Sequence, residues 1–372
     1  MNSKSVCLNM IVKDESKVIK RCLSSVIGIV DYWVIVDTGS TDGTQKIVLE
    51  YLRDMPGELH EQKWQNFERN RNGALELARN KCDYILCMDA DDTFEFSIPF
   101  DKNALENDCY MILCRDPVVD SYRLLMINND PSWKWAGILH EELQISHPVR
   151  GGILSGVIKN GLARDGQRAQ DPKRYLKDAL LLENAFQEDP ANCRTIFYLA
   201  QSYLMANEHS SALKYFQLRA AMAGCKDELF WSLYTIGCLQ EDLKMPPQTV
   251  IEIYQKAHQF DCSRAEPLCA LARFLIKIGD YNQAYRISKA ASLVSFPETY
   301  FFVERDVYEF KSLLYLSYCQ HLTRRYDEAK SSYQQLLTKK SLPPADRQTV
   351  EQFLALCQKK ECIQIITEAP LQ

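Results

Sequence analysis

The hydrophobic pattern of this chain changes once, near residue 171, and that change limits the folds open to it. Across residues 5–114, short apolar runs with strand character alternate with stretches whose apolar residues recur at helical spacing. Such alternation predicts a parallel sheet covered by helices, because parallel strands need crossover helices between them. Beyond residue 171 only helical spacing remains, so we expect two domains, residues 1–170 and 171–372.

The predicted strands of the first domain end at turn-forming or acidic residues. They are residues 5–12, 32–36, 58–63 and 83–88, separated by helices that begin near Asp14, Thr44 and Asn66. Asp14 is the predicted N-cap of the first of these helices. Further strand-like runs follow at residues 110–114, 122–127 and 152–158. Because no helical pattern separates these later runs, they predict a mixed edge on the same, mostly parallel sheet.

The second domain repeats a pattern of small and aromatic residues that is typical of tetratricopeptide hairpins. The first copy consists of Ala200, Tyr203, Ala212 and Phe216. The equivalent small position of successive copies is occupied by Ala200, Gly237, Ala272 and Ser317. Because each such hairpin buries its apolar face only against its neighbours, the array is predicted to form an all-α solenoid. A helical bundle without repeats is the alternative interpretation.

Charge and cysteine content exclude several classes of function. The net charge of −5 provides no basic footprint, so no nucleic-acid partner is expected. The 14 cysteines are scattered without the spacing of a zinc site, and no secretory signal opens the chain. We therefore expect reduced thiols in a cytoplasmic protein. No apolar stretch of the sequence reaches the length of a membrane span.

Three carboxylates, Asp89, Asp91 and Asp92, follow directly after the apolar run at residues 83–88. A buried strand cannot hold unpaired charge, so these acids belong at its carboxyl end, where open α/β sheets bind ligands. Neighbouring carboxylates repel one another unless a cation or a network of donors neutralises them. A divalent ion that also binds a diphosphate would do so, since it takes ligands from one or two carboxylates and from phosphate oxygens. The alternative is an acidic loop that caps the next segment.

Other polar residues fall near the predicted strand ends and suggest a nucleotide crevice. Val12, Asp14 and Glu15 close the first strand, where backbone groups could contact a base. Asp37 closes the second strand and could accept from a base N–H or a sugar hydroxyl. Arg71, on the helix before the acidic strand, could neutralise phosphate. Taken alone, Asp37 could equally be a helix cap and Arg71 part of a solvated helix face.

Four strings give the sequence a family likeness. Residues 7–15 (CLNMIVKDE), 36–44 (VDTGSTDGT) and 89–92 (DADD) resemble the family 2 glycosyltransferases. Residues 133–141 (WKWAGILHE) resemble a subgroup of that family with a C-terminal tetratricopeptide array. The resemblance implies a GT-A fold, a Rossmann-like domain that binds nucleotide-diphosphate sugars. It also implies inverting transfer of a sugar from that donor, usually with Mn²⁺ or Mg²⁺. We expect the donor of this chain to be a UDP-sugar.

The same resemblance assigns roles to the acidic residues. Asp37 would contact the base, Asp89 the ribose, and Asp91 the metal that bridges the diphosphate. Ala90, between the two acids, belongs to the same donor-binding stretch, and Asp92 would be a supporting carboxylate.

Inverting transfer needs a base that reaches the acceptor proton, and residues 140–141 provide the candidates. Glu141 fits the base, and His140 could complete the metal sphere or orient the diphosphate; the reverse assignment stays open, as does a structural role for His140. The string is not the HExxH zinc motif, because Gln144 stands where the second histidine would be. Trp133 and Trp135 could offer flat faces to a sugar, or could simply pack in the core.

One departure from the family concerns the last strand. Relatives often carry an H-x-G-Y string before the helical array, whereas this chain has Lys159-Asn160-Gly161-Leu162. Loss of that histidine could weaken metal use, or Lys159 could substitute as a fixed positive charge.

We therefore expect a metal-dependent inverting glycosyltransferase with a protein, peptide or glycan acceptor, which the repeats could hold. A partner-binding scaffold with a degenerate transferase domain is the alternative. A nucleotidyltransferase is a third hypothesis, but the first strand end lacks the glycine-rich phosphate loop it would need. Solenoids also mediate self-association, so a homodimer is compatible with the sequence.

Overall fold

The computed structural model describes residues 3–117, 119–161, 163 and 165–360. The chain divides into two compact units, Met1–Pro190 and Ala191–Gln372. This division falls 20 residues after the domain boundary expected from the sequence. Leu162 and the last residues of the expected repeat domain, 361–372, lie outside the described part of the chain.

The first unit is built on an eight-stranded mixed sheet and a separate two-stranded hairpin. The strands are β1 (Val6–Val12), β2 (Tyr32–Asp37), β3 (Gly57–Glu61), β4 (Tyr84–Cys87), β5 (Thr93–Phe96), β6 (Cys109–Arg115), β7 (Asp120–Asn128), β8 (Lys134–Ala136), β9 (Glu142–Gln144) and β10 (Gly151–Asn160). The large sheet has the order β3-β2-β1-β4-β7-β6-β10-β5, and β8 pairs with β9. Apart from β5 and the hairpin, these strands match those expected from the sequence.

The strand order places four carboxyl ends at the same end of the sheet. Strands β3, β2, β1 and β4 are parallel, and β4 lies on the opposite side of β1 from β2. The order of the chain therefore reverses at β1, which is the kind of switch point where open α/β sheets bind ligands. Antiparallel β7 begins the mixed edge beyond β4. The predicted fold class, a mostly parallel sheet with a mixed edge, is confirmed.

Four helices belong to the first unit: α1 (Ile19–Val26), α2 (Thr44–Tyr51), α3 (Phe67–Leu77) and α4 (Arg174–Glu188). Asn66 caps α3 by accepting from the Arg69 N–H. The predicted N-cap role of Asp14 is wrong, because α1 begins only at Ile19 and has no side-chain cap. Asp14 instead has a left-handed backbone, with φ of 54°, and its carboxylate bonds a neighbouring loop.

The regular elements of the second unit, within residues 191–360, are helices. They are α5 (Cys193–Met205), α6 (His209–Ala220), α7 (Lys226–Asp242), α8 (Pro247–Phe260), α9 (Glu266–Lys277), α10 (Tyr281–Ala291), α11 (Ser312–Leu322), α12 (Tyr326–Thr338) and α13 (Pro344–Lys359). Consecutive helices pack in pairs, while α9 also packs against α7 and α11. The first helices of neighbouring hairpins therefore lie side by side, as tetratricopeptide repeats require.

The small positions of the repeat are explained by close helix packing. Ala200, Ala272 and Ser317 are fully buried, and a Cβ atom on Gly237 would lie 2.5 Å from the Tyr254 ring. Any larger residue at these positions would force neighbouring helices apart. Among the described residues, no helix has both the length and the apolarity to cross a membrane.

Candidate active site

Asp37, at the end of β2, uses its two carboxylate oxygens differently. Its Oδ1 accepts from the backbone N–H groups of Gly39 and Ser40, at 2.8 and 2.7 Å. Its Oδ2 is buried without a hydrogen-bond partner among the described residues, and the whole residue is 1% exposed. An unsatisfied buried acceptor costs about 1–3 kcal/mol, which a ligand donor would recover. Asp37 is thus both the turn cap and a candidate ligand contact.

The loops after β1 and β2 are fastened to each other. The Val12 carbonyl accepts from the Thr38 N–H at 2.9 Å and from its hydroxyl at 3.1 Å. The Asp14 carboxylate accepts from the Thr41 N–H at 2.7 Å, and the Asp14 N–H donates to Ser40 Oγ. Val12 and Asp14 therefore hold the loops after β1 and β2 together. Their residue types alone did not reveal this role in the sequence.

Glu15 lies half-buried on the side of the crevice that faces the acidic cluster. Burial raises the pKa of Glu15 to about 7, against the backbone N–H of Gln167, and repulsion from Asp91 adds to the rise. A carboxyl group in this state is partly protonated at neutral pH, which limits the negative charge beside Asp91.

Arg71 on α3 lies between Asp89, the expected ribose contact, and Glu141, the candidate catalytic base. Its Nη2 lies 2.6 Å from Asp89 Oδ1, and its Nε lies 3.4 Å from Glu141 Oε2. Burial alone would raise the pKa of Asp89, but Arg71 and Lys159 outweigh it and lower that pKa. At Glu141, whose side chain is 8% exposed, burial dominates over Arg71 and raises the pKa. Asp89 and Glu141 share one arginine but differ in proton affinity. The lowered pKa of Asp89 suits a charged ligand contact, and the raised pKa of Glu141 suits a proton acceptor.

The β8–β9 hairpin carries residues 137–141 and is held against α3. The side-chain amide of Asn72 bonds both backbone groups of Trp135, each at 2.8 Å, and Glu68 accepts from the Gly137 N–H. Gly137 and His140 both have positive φ angles, 123° and 55°, which turn the loop sharply. His140 is exposed, and the side chain of the adjacent Glu141 is 8% exposed.

The two tryptophans pack in the core of the first unit. Trp133 is 3% exposed and Trp135 6% exposed, and both lie in one apolar cluster. The Trp133 indole donates to Asn128 Oδ1, and the Arg71 guanidinium lies over the Trp135 ring at 5.0 Å. This placement favours core packing over a sugar platform, with Trp135 supporting Arg71.

Lys159 forms a buried ion pair with Asp92. The Lys159 Nζ lies 2.6 Å from Asp92 Oδ2, and both residues are buried. Burial raises the pKa of Asp92 to about 6 although Lys159 opposes the rise. Asp92 in turn raises the pKa of Lys159 despite burial of the amine. The lysine that departs from the family string thus places its amine beside Asp92, and its role in place of the histidine stays a prediction.

Asp91 is covered by a segment that the sequence did not single out. Residues 165–168, called the strap below, are held by a two-bond ion pair between Arg21 and Asp165 and by the contact of Gln167 with Glu15. A Cβ atom added to Gly166 would lie 2.6 Å from Asp91 Oδ2, so the strap touches the carboxylate. Burial, together with repulsion from Asp89, raises the pKa of Asp91. The strap carries no motif, so only the folded chain reveals it.

The acidic cluster suits a cation that is bound jointly with a diphosphate. Among the residues that the structure describes, no three His, Cys, Asp or Glu side chains are grouped to hold a metal ion. His140 is therefore not part of such a group with Asp91. The Asp91 carboxylate, held among like charges, fits the pattern in which one protein carboxylate, phosphate oxygens and water complete the coordination.

Gly166→Ala is expected to weaken binding of a nucleoside diphosphate about tenfold, because the new Cβ must displace Asp91 or the strap. Gly161→Ala is the matched control, since its added Cβ would meet its nearest atom, Asp116 Oδ1, at 3.4 Å. Calorimetric titration of both variants with UDP and Mn²⁺ measures the difference. Equal affinities in the two variants would contradict the contact between Gly166 and Asp91.

Comparison with known proteins gives a family for part of the chain. Residues 7–98 match the family described as "Glycosyl transferase family 2", a stretch that contains β1 to β5 but not Glu141. The SPbeta prophage-derived glycosyltransferase SunS of Bacillus subtilis is 25% identical over 230 residues, 58% of this chain and 53% of that protein. A TPR repeat-containing protein of Synechococcus elongatus is 40% identical over 87 residues, 23% of this chain and 20% of that protein. The chain thus spans about half of one relative and a fifth of the other.

Solved structures that match part of the chain include MamA and YrrB. The crystal structure of MamA has a TM-score of 0.38 and 12% identity, covering 48% of this chain and 92% of that chain. The structure of YrrB, described as a TPR protein with an unusual peptide-binding site, has a TM-score of 0.36 and 14% identity, covering 50% of this chain and 84% of that chain.

Proposed function

We propose that this chain, whose residues 7–98 belong to glycosyl transferase family 2, transfers a sugar from a nucleotide-diphosphate donor to an acceptor. The observation that carries the proposal is the meeting of Asp37, Asp89 and Asp91 at one sheet edge with Arg71 and Glu141. These residues come from two strand ends, a helix and a hairpin, and a merely structural acidic loop would not need them together.

The donor would be held mainly through its nucleotide. Asp37 Oδ2, buried and without a partner among the described residues, would accept from a base N–H, which a uracil ring offers. Asp89 is kept ionised by Arg71, and its carboxylate is partly exposed, so it would accept from ribose hydroxyls. Asp91 would hold Mn²⁺ or Mg²⁺, and that ion would neutralise the departing diphosphate.

Glu141 is proposed as the base. Burial raises its pKa, so it is a stronger proton acceptor than an ordinary carboxylate, and Arg71 Nε lies 3.4 Å from Glu141 Oε2. The acceptor oxygen or sulfur forms a bond to the anomeric carbon, the bond from that carbon to the diphosphate breaks, and the acceptor proton passes to Glu141. Attack opposite the departing diphosphate inverts the anomeric centre. The exposed His140 keeps the reverse assignment open, with the imidazole as base.

Two observations favour a second candidate, a partner-binding scaffold with a degenerate transferase domain. The strap contacts Asp91, and Lys159 forms a buried ion pair with Asp92. Both acids therefore already have neighbours within the chain. Under either proposal the partner is a protein, peptide or glycan. We also propose a cytoplasmic location and a homodimer.

A donor screen separates the two candidates. We expect one UDP- or GDP-sugar, with Mn²⁺, to raise the melting temperature of the purified chain and to be slowly hydrolysed. Ligand at 100 times its dissociation constant stabilises a folded protein by about 2.7 kcal/mol, which a thermal shift detects. If no common nucleotide sugar binds or is hydrolysed, the scaffold proposal replaces the enzyme.

A further inference from the structure

The connection before α11 differs from the other connections between hairpins. Residues 292–306 lie between α10 and the π-helical turn Val307–Lys311 that leads into α11. The connections at residues 221–225, 261–265 and 339–343 are far shorter. Solenoid geometry needs only a short link at this point, so the added length must serve something other than closing the hairpin.

The added length folds back over the first helices of two earlier hairpins. The Phe301 ring lies 5.6 Å from the ring of Phe197, which is fully buried on α5. The Phe302 ring lies 5.2 Å from the Trp231 ring on α7, edge to face. Aromatic pairs at these separations are attractive beyond their burial of area. The two phenylalanines therefore occupy an aromatic pocket formed by α5 and α7.

Polar groups on α7 and at the start of α9 hold the backbone and the acid of this segment. Arg264, buried before α9, donates from Nη2 to the Phe302 carbonyl at 2.6 Å. The Tyr234 hydroxyl on α7 donates to Glu304 Oε1 at 2.7 Å, and Glu266 accepts weakly from the Glu304 N–H at 3.4 Å. One side chain thus binds a backbone carbonyl, and another binds a carboxylate two residues later.

These contacts are those by which a groove binds an extended peptide: aromatic anchors in a pocket, main-chain bonds and one charged group. Part of the connection also stays outside this contact, since Leu293, Phe296 and Tyr300 are among the exposed large apolar residues. The aromatic pair is therefore half-buried, whereas these apolar neighbours in the connection are exposed.

We propose that residues 299–304 are an internal occupant of a peptide-binding groove on the helical unit. The groove binds, by exchange with this segment, an extended peptide with two adjacent aromatic residues followed two positions later by a carboxylate. A tethered segment competes at an effective concentration in the millimolar range, so the groove of the intact chain is largely closed to such peptides. This inference stands apart from the transferase proposal, because it concerns binding by the repeats.

The probe is a fluorescent synthetic peptide with the sequence of residues 297–306. We expect the full chain carrying both Phe301→Ala and Phe302→Ala to bind it at least tenfold more tightly than the wild type. Tyr300→Ala is the matched control, because Tyr300 is 55% exposed and its loss leaves the groove occupied. Adding Trp231→Ala to the double variant should abolish binding, as should replacing both phenylalanines of the peptide by serine. Fluorescence anisotropy measures each affinity.

Equal peptide affinity in the double variant, Tyr300→Ala and the wild type would overturn the proposal, as would binding that survives Trp231→Ala. Glu304→Ala provides a second test with a smaller loss of packing, in case the double variant does not fold. It removes the carboxylate bound by Tyr234, and about threefold tighter peptide binding than the wild type is expected. A folded Glu304→Ala chain, with unchanged helical circular dichroism and no gain in affinity, would likewise overturn it.

Discussion

Asp91→Asn is expected to abolish metal-supported donor binding and to reduce sugar transfer by at least about 10²–10³-fold. The amide keeps the size of the side chain but removes the charge that a divalent cation requires. Because burial and repulsion raise the pKa of Asp91, loss of its charge should not destabilise the fold. Titration with a UDP-sugar, with and without Mn²⁺, separates loss of the cation from loss of the nucleotide contacts.

Asp54→Asn is the control for this change, because the Asp54 side chain is 89% exposed and pairs only with the adjacent Arg53 among the ion pairs described. It should leave binding and transfer unchanged. Metal-dependent donor binding that persists in Asp91→Asn would remove Asp91 as the metal ligand.

Glu141→Gln is expected to slow transfer by about 10²–10⁴-fold while donor binding stays within about twofold of the wild type. Glutamine cannot take the acceptor proton, but it keeps the size of the side chain beside Arg71. The base must be ionised, so the wild-type rate should rise as pH increases through the raised pKa of Glu141. That rising limb should be absent from the variant, which a pH profile of kcat under saturating donor measures.

Glu142→Gln, one residue along the chain, is the matched control, since Glu142 lies on β9 and bonds Gln144. Its transfer rate should equal that of the wild type. Transfer that survives Glu141→Gln but is lost in His140→Asn would reverse the assignment and make the imidazole the base.

The strand framework could be predicted because it depends on local pattern. Residues 83–88 are apolar and end in acids, and the structure places β4 there with Asp89 directly beyond Met88. The turn at Asp37 could also be predicted from local sequence. In the structure, the Asp37 side chain caps the residues that follow it. What the sequence indicated was the sheet edge; the roles of Asp37, Asp89 and Asp91 at that edge stay predictions.

The remaining features depend on contacts between distant residues. Aspartate is a residue type that favours N-caps, but the bond of Asp14 to Thr41 on the neighbouring loop overrides that preference. The position of Arg71 on α3 brings it to Asp89 and Glu141, and its expected contact with phosphate stays a prediction. No local pattern specifies these pairings, since each depends on how two elements meet after folding.

The ion pair between Lys159 and Asp92 has a consequence for biosynthesis, because its partners are 67 residues apart. At a translation rate of about 5–20 residues per second, Asp92 waits roughly 3–13 seconds for Lys159 to be made. During that time a carboxylate destined for burial has no counter-charge, and β5 lacks β10, the strand it pairs with in the sheet. The nascent chain therefore cannot complete the contacts of Asp92 and β5 as a separate early folding step. Those contacts must form late, once the strand carrying Lys159 has left the ribosome.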